Sequence, residues 1–157
     1  MEFAAVVLPH LDAAYTLARY LTRNDADAQD VVQDAALRAL KYFGGFRGTT
    51  ASDGRAWFLA IVRNTAHTWR HQQHGGVGVT EFNEELHSDH VAPTDPVAAV
   101  DLRKAVDALP LEFREVIVLR ELQGLSYKEI SDVTGVPVGT VMSRLSRARK
   151  RLQEALT

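Results

Sequence analysis

Cysteine is absent from the 157 residues. That removes disulfide staples, thiolate metal sites and cysteine nucleophiles together, and is compatible with a reducing compartment. No apolar run approaches the roughly 18 residues a membrane helix needs. The start Met1-Glu2-Phe3 has neither the basic stretch nor the apolar core of a signal peptide. The expectation is a soluble, cytoplasmic chain with no membrane insertion. Phosphate-cradling glycine loops, a dinucleotide fingerprint and a nucleophile elbow are also missing, so no enzyme activity, catalytic residue or cofactor is expected. Nor does any segment alternate apolar and polar residues as a half-buried strand would. The expected class is all-α.

A large excess of one charge is lacking too. The net charge of −2 argues against blanket attraction to polyanions. The distribution is more informative than the sum. Residues 1–72 carry eight basic and seven acidic side chains, and residues 101–157 carry ten and eight. Residues 73–100 hold five acids and no Lys or Arg. Near the end, Arg144, Arg147, Arg149, Lys150 and Arg151 follow one another without an intervening acid. A basic stripe on a near-neutral chain suggests one defined nucleic-acid face.

What is present is helical periodicity. Apolar residues from Phe3 to Leu21 recur at helical spacing. Asn24 or Asp25 then caps a second helix over about 26–43, whose expected inner face is Val31, Val32, Ala35, Leu40 and Phe43. Gly44 and Gly45 stop it, and a polar loop from Arg47 to Gly54 leads to a third helix over about 55–71. Residues 74–96 read as a flexible acidic linker, with a short helical stretch around Glu81–Leu86. Periodicity resumes over 97–109 and 111–122, interrupted by Pro110 and ended by Gly124. Two small helical domains, 1–73 and 97–157, follow from this pattern.

The C-terminal part is the most specific. Ser126 and Glu129 make a capping box, Ile130 and Val133 the apolar face of a short helix, and Gly135-Val136-Pro137 a tight turn. The last helix, from Val138 to about Ala155, turns Val141, Leu145, Ala148 and Leu152 inward. These are the parts of a helix-turn-helix. Met142, Ser143, Ser146 and Arg147 then face base edges, Thr140 belongs to the same expected DNA-binding set, and Arg144, Arg149, Lys150 and Arg151 are candidates for phosphates. The same spacing also fits an amphipathic hairpin with a solvated basic face.

The stretches Leu109–Val116, Gly124–Ile130 and Gly135–Arg149 resemble the C-terminal promoter-binding domain of the extracytoplasmic-function (ECF) sigma factors of bacterial RNA polymerase. The resemblance implies recognition of the minus-thirty-five promoter element by residues 97–157. It also implies a polymerase-binding and promoter-melting domain in residues 1–73. Asp27–Asp34 looks like that domain's polymerase helix. Asp30, Gln33 and Asp34 share one face and are the residues expected on the clamp coiled coil of the largest polymerase subunit. Phe46-Arg47-Gly48, the loop to Gly54 and the stretch Trp57–Asn64 are similar to the family's minus-ten reader. There the resemblance assigns Asn64 to a flipped base, and Arg47, Arg55 and Arg63 to the single-strand backbone. Trp57 and Phe58, at helical spacing, read more readily as core than as stacking platforms. Thr68, His71, His74 and Met142 stand where the family often has acidic or basic residues, which alters the expected promoter preference rather than the class. The linker acids Glu81, Glu84, Glu85, Asp89 and Asp95 fit a nucleic-acid mimic in a basic channel and a solvated tether equally. The family is commonly held inactive by an anti-sigma factor, a third expected partner after core polymerase and promoter DNA.

Other classes remain in view. His67, His71 and His74 lie at i, i+4 and i+7, a spacing zinc can use, but no glutamate follows the first histidine as a zinc hydrolase requires, and no metal is expected. A stand-alone helix-turn-helix regulator would dimerise on paired half-sites, whereas a sigma factor would dock on polymerase and bind DNA poorly by itself.

Overall fold

The computed structural model describes residues 2–73 and 102–157. The expected linker over 74–96, its short helix around Glu81–Leu86, and the first residues of the helix expected from Val97 lie outside them. Among the described residues every regular element is helical, in agreement with the all-α expectation. The N-terminal unit comprises α1 (Phe3–Val7), a 3-10 turn (Leu8–His10), α2 (Leu11–Thr22), α3 (Asp25–Tyr42), a second 3-10 turn (Phe43–Gly45) and α4 (Ala51–Gln73). The C-terminal unit comprises α5 (Leu102–Asp107), α6 (Leu111–Ile117), which runs on as a π-turn (Val118–Leu122), α7 (Tyr127–Thr134) and α8 (Val138–Leu156).

Pro9 breaks what the apolar spacing presents as one helix from Phe3 to Leu21. It has no N–H and its ring crowds the preceding turn, so the chain tightens to 3-10 geometry before α2 begins. α2 ends on Arg23, which adopts the left-handed conformation at φ 59° and donates its N–H to the Arg19 carbonyl. Asn24, rather than Asp25, caps α3: its side-chain oxygen accepts from the Asp27 N–H at 2.9 Å. α4 starts four residues earlier than the loop composition suggests. Thr50 and Asp53, three positions apart, exchange hydrogen bonds of 3.1 Å each, so this polar pair acts as a helix start rather than a loop.

The N-terminal core is formed by Ala14, Leu17, Ala18 and Leu21 on α2, Ala28, Val31, Ala35 and Ala39 on α3, and Phe58, Leu59, Val62 and Ala66 on α4. Leu40, expected inside, is 57% exposed. The inner stripe of α3 runs through its alanines, because helices approach most closely where side chains are small, and that rotation sends Leu37 and Leu40 outward. Trp57 is half-buried in an aromatic cluster with Phe43 (6.1 Å between centroids) and Phe46 (5.2 Å). Gly48 is required by space: a Cβ there would sit 2.4 Å from the Cβ of Asp53.

In the C-terminal unit, every residue from Phe113 to Leu119 is buried, Arg114 and Glu115 included. A helix buried all round lies between two packed layers. Here one layer is α7 and α8 and the other is the N-terminal unit, where α2 meets α6 and α4 meets α7. The expected helix to Leu122 ends with widened hydrogen bonding, the Gln123 N–H donating to the Val118 carbonyl at 3.2 Å and Leu125 to Leu119 at 3.0 Å. Gly124, at φ 67°, completes the stop.

Gly135 and Gly139 give opposite expected outcomes. Gly135 sits at φ 78° with open space around its Cα, so backbone conformation alone demands glycine. Gly135→Ala should destabilise the chain by about 1–2 kcal/mol. Gly139 lies inside α8, also in open space, and Gly139→Ala should stabilise by up to about 1 kcal/mol. Urea denaturation of both variants checks the pair.

Candidate nucleic-acid and polymerase interfaces

The helix-turn-helix forms as its sequence requires. Ser126 accepts from the Glu129 N–H at 3.1 Å, and Glu129 Oε1 accepts from the Ser126 N–H at 2.9 Å. Past Gly135, the Ser131 hydroxyl donates to the Val136 carbonyl at 2.6 Å and ties the turn to α7. Val141, Leu145 and Ala148 of α8 are buried in the same core as Ile130 and Val133. That fixes which face of α8 looks outward. Met142 is 50% exposed there, Ser143 and Ser146 are exposed, and Thr140, Arg144 and Arg147 are half-buried.

The basic residues divide into two sets. Lys150 is exposed on α8. Arg149 is held by Glu121, with Nε at 2.7 Å and Nη2 at 2.6 Å. That hydrogen bond raises the Arg149 pKa above the usual guanidinium value. Arg151 lies over the Phe113 ring, 5.6 Å from its centroid. Arg149 and Arg151 therefore also fasten α8 to its own domain, a role the run of like charges in the sequence does not disclose.

On α3, Asp30 and Gln33 are exposed and Asp34 pairs with Arg38 at 3.3 Å. Leu37 lies one turn beyond Gln33 and Asp34 on the same face and is 63% exposed. Periodicity alone does not single it out. The signal available was its spacing of three and four from the two polar residues, combined with a buried stripe made of alanine.

The residues assigned to the minus-ten element are not gathered on one open surface. Arg47 is exposed, and its Nη1 donates to the Gly44 carbonyl at 2.7 Å. Asn64 is exposed, and its Oδ1 accepts from Arg63 at 3.3 Å. Arg55 and Arg63 turn toward the C-terminal unit. Arg63 forks onto Glu115, Nε donating to Oε2 at 3.0 Å and Nη2 to Oε1 at 3.1 Å. Arg55 Nη2 donates to both oxygens of Glu129, at 3.3 and 3.2 Å, and Nη1 to the Gln123 carbonyl at 3.3 Å. His67 places Nε2 3.2 Å from Glu115 Oε2. His71 is exposed and His74 lies outside the described residues.

Glu115 is 0% exposed. Burial by itself would push its carboxyl up. Hydrogen bonds from His67 and Arg63, with the charge beside them, outweigh that and hold it below the ordinary carboxylate value. Glu129 follows the same pattern: burial pushes it up, and the Ser126 N–H and Arg55 bring it down. Further polar contacts cross the same seam. Gln123 Nε2 donates to the Ala13 carbonyl at 2.7 Å, and Arg23 Nη1 to the Asp107 carbonyl at 3.2 Å. Arg114 is buried with its Nη1 on the Leu109 carbonyl at 2.8 Å. Burial, aided by the nearby charges of Arg23 and Arg70, lowers it to about 10, so it stays charged at neutral pH.

Known proteins match this arrangement along most of the chain. The profile of Sigma-70 region 2 matches residues 6–75, and that of Sigma-70 region 4 matches residues 99–152. The ECF RNA polymerase sigma factor SigE of Mycolicibacterium smegmatis is 33% identical over 165 residues, covering 96% of this chain and 60% of the relative. The ECF RNA polymerase sigma-E factor of Haemophilus influenzae is 31% identical over 157 residues, covering 89% of this chain and 79% of the relative. Among solved structures, the sigma factor RpoE in complex with the anti-sigma factor NepR from Bartonella quintana superposes with a TM-score of 0.72 at 30% identity. That match covers 96% of this chain and 93% of the other. The chain belongs to the ECF sigma factors of RNA polymerase.

Acid should loosen the seam. Both glutamates have folded-state pKa values below the ordinary 4.5, so their contribution is fully present above that pH and is lost as pH falls through the folded values. Urea denaturation between pH 7 and pH 3.5 should show stability declining below about 4.5, with a shallower decline in Glu115→Gln. An identical decline in the variant would remove Glu115 from the account.

Proposed function

We propose that the chain binds core RNA polymerase and directs it to specific promoters, in the cytoplasm, with no catalytic chemistry or cofactor of its own. Residues 1–73 grip the polymerase and read and melt the minus-ten element, residues 74–96 connect, and residues 97–157 read the minus-thirty-five element. The observation that carries this reading is the pairing, in one chain, of a match to region 2 with a match to region 4 whose helix-turn-helix presents Met142, Ser143 and Ser146 outward. Control by an anti-sigma factor is supported by the likeness, across 96% of this chain, to a sigma factor solved with one bound.

The polymerase contact is assigned to Asp30, Gln33 and Asp34, with Leu37 as its apolar centre. An exposed leucine beside hydrogen-bonding groups suits a partner that desolvates the one and pairs with the others. On α8, Thr140, Met142, Ser143, Ser146 and Arg147 are assigned to base edges, and Arg144, Arg149 and Lys150 to phosphates. Arg149 then exchanges Glu121 for DNA. At the minus-ten element, Arg47 and Asn64 lie open to the strand, whereas Arg55 and Arg63 must first leave Glu129 and Glu115.

Run-off transcription with core polymerase on a promoter library tests the whole reading. Specific transcripts are expected, and their absence from every template, in protein shown to be folded and free of inhibitor, would sink it. Alanine at Asp30, Gln33 and Asp34 together should weaken polymerase binding while leaving helix content intact, and Leu37→Ala should weaken it further. Unchanged affinity would remove this face from the interface. Arg147→Ala should relax selectivity at the minus-thirty-five element by roughly 1–3 kcal/mol, and an equal loss on all DNA would instead mark a phosphate contact.

A further inference from the structure

A second group of arginines meets where the two units touch, and unlike Arg55 and Arg63 its members have no carboxylate across from them. Arg23, at the end of α2, donates Nη1 to the Asp107 carbonyl at 3.2 Å. Arg114, on α6, donates Nη1 to the same oxygen at 3.2 Å and to the Leu109 carbonyl at 2.8 Å. Arg70, near the end of α4, donates Nη1 to the Leu21 carbonyl at 3.0 Å, two residues before Arg23. The turns that follow α2 and α5 thus bring three guanidiniums to one place. We propose that Arg23, Arg70 and Arg114 form a binding site for a small phosphate-type oxyanion, the ligand class being a small molecule that carries a pyrophosphate group. None of the three belongs to the residues assigned to polymerase or promoter.

Four observations support it. First, donors remain. Each guanidinium gives one nitrogen to carbonyls at helix ends and leaves Nε and Nη2 without a hydrogen-bond partner among the described residues. A guanidinium edge fits a phosphate oxygen pair as it fits a carboxylate. Second, charge is unbalanced. Among the described residues none of the three forms an ion pair. The Asp107 carboxylate faces Arg19 instead, at 3.8 Å, and Arg19 is also held by Asp25 at 2.8 Å. Burial and the like charges of Arg23 and Arg70 lower the Arg114 pKa, and burial and Arg23 lower that of Arg70, against a weaker opposing pull from Glu112. A bound anion would relieve that repulsion.

Third, the group is graded in depth. Arg23 is exposed, Arg70 is half-buried and Arg114 is 1% exposed. An anion seated on Arg23 and Arg70 has a third positive charge beneath it, in surroundings that screen poorly. A buried guanidinium with two nitrogens unpaired is costly, and a counter-charge above it lowers that cost. Fourth, Arg23 is the one non-glycine residue at positive φ among the described residues. Glycine would end α2 there with less strain, so the backbone cost of an arginine is offset by what its side chain reaches. The size of the ligand follows from the neighbours. Asp25, Asp107 and Glu112 stand beside these arginines and repel an extended polyanion, whereas a compact oxyanion fits between them.

Calorimetric titration of the full-length chain with sodium pyrophosphate, at an ionic strength held constant with sodium chloride, should show one saturable site per chain. Arg23→Gly, in which glycine suits the left-handed backbone, and Arg70→Gln should each weaken binding at least fivefold. Lys41→Gln removes an exposed charge from α3, outside the group, and should leave binding unchanged. Heat without saturation, or an equal loss in Lys41→Gln, would mark a counter-ion atmosphere and overturn the proposal. Because the site draws on both units, pyrophosphate should also raise the melting temperature of the wild type, and raise it less in Arg23→Gly and Arg70→Gln. Arg114→Met addresses the buried charge: in folded protein it should weaken binding too, and native affinity there would overturn the three-arginine site. Should that variant fail to fold, Arg23→Gly and Arg70→Gln decide the matter. A random-sequence single strand supplies the competing outcome. If Arg70→Gln loses strand binding as fully as pyrophosphate binding, the group serves nucleic acid and the small-ligand assignment falls. No readout here uses polymerase or a promoter, so failure of the sigma-factor reading would leave this test intact.

Discussion

The arrangement depends on a negative charge that sits in one domain and is satisfied by the other. Glu115 lies on a helix whose residues from Phe113 to Leu119 are all buried, and an isolated carboxylate in such a place would be costly. It is tolerated because Arg63 and His67 reach it from α4. That single requirement fixes which face of α6 meets the N-terminal unit. From it follow the approach of α7 to α4, the pairing of Arg55 with Glu129, and the placement of Gln123 against Ala13.

The outer faces of the two units differ in chemistry. α8 has an outer face of hydroxyls, a methionine and basic groups, and α3 has an outer face of carboxylates, an amide and leucines. Both lie away from the seam. α4 differs, since part of its polar face is turned inward. The chain thus leaves the outer faces of α3 and α8 exposed, while Arg55 and Arg63 of α4 are engaged across the seam.

Much of this was legible in the sequence where the determining interactions are local. The capping box at Ser126 and Glu129, the Gly135 turn, the inward set Val141, Leu145 and Ala148, and the stop at Gly124 all depend on residues within a few positions of each other. The break at Pro9 and the cap formed by Thr50 and Asp53 are equally local, but helical periodicity over Phe3–Leu21 and the polar composition of the loop conceal them. Leu40 misleads for another reason: a leucine at helical spacing looks internal until alanines are recognised as the packing face. The pairing of Arg63 with Glu115 was beyond sequence reading, because it joins residues 52 positions apart and neither has a local feature that names the other. A resemblance that assigns Arg55 and Arg63 to DNA does not disclose that both groups have partners within the chain.

Glu129 serves two masters at once, since Oε1 closes the N-terminus of α7 while the same carboxylate receives Arg55. The bond to Ser126 lies wholly within the C-terminal unit and does not depend on the arginine. The helix start and the cross-domain pair are therefore separable, and a change at Arg55 would strip the seam of a contact while leaving the beginning of α7 tethered as before.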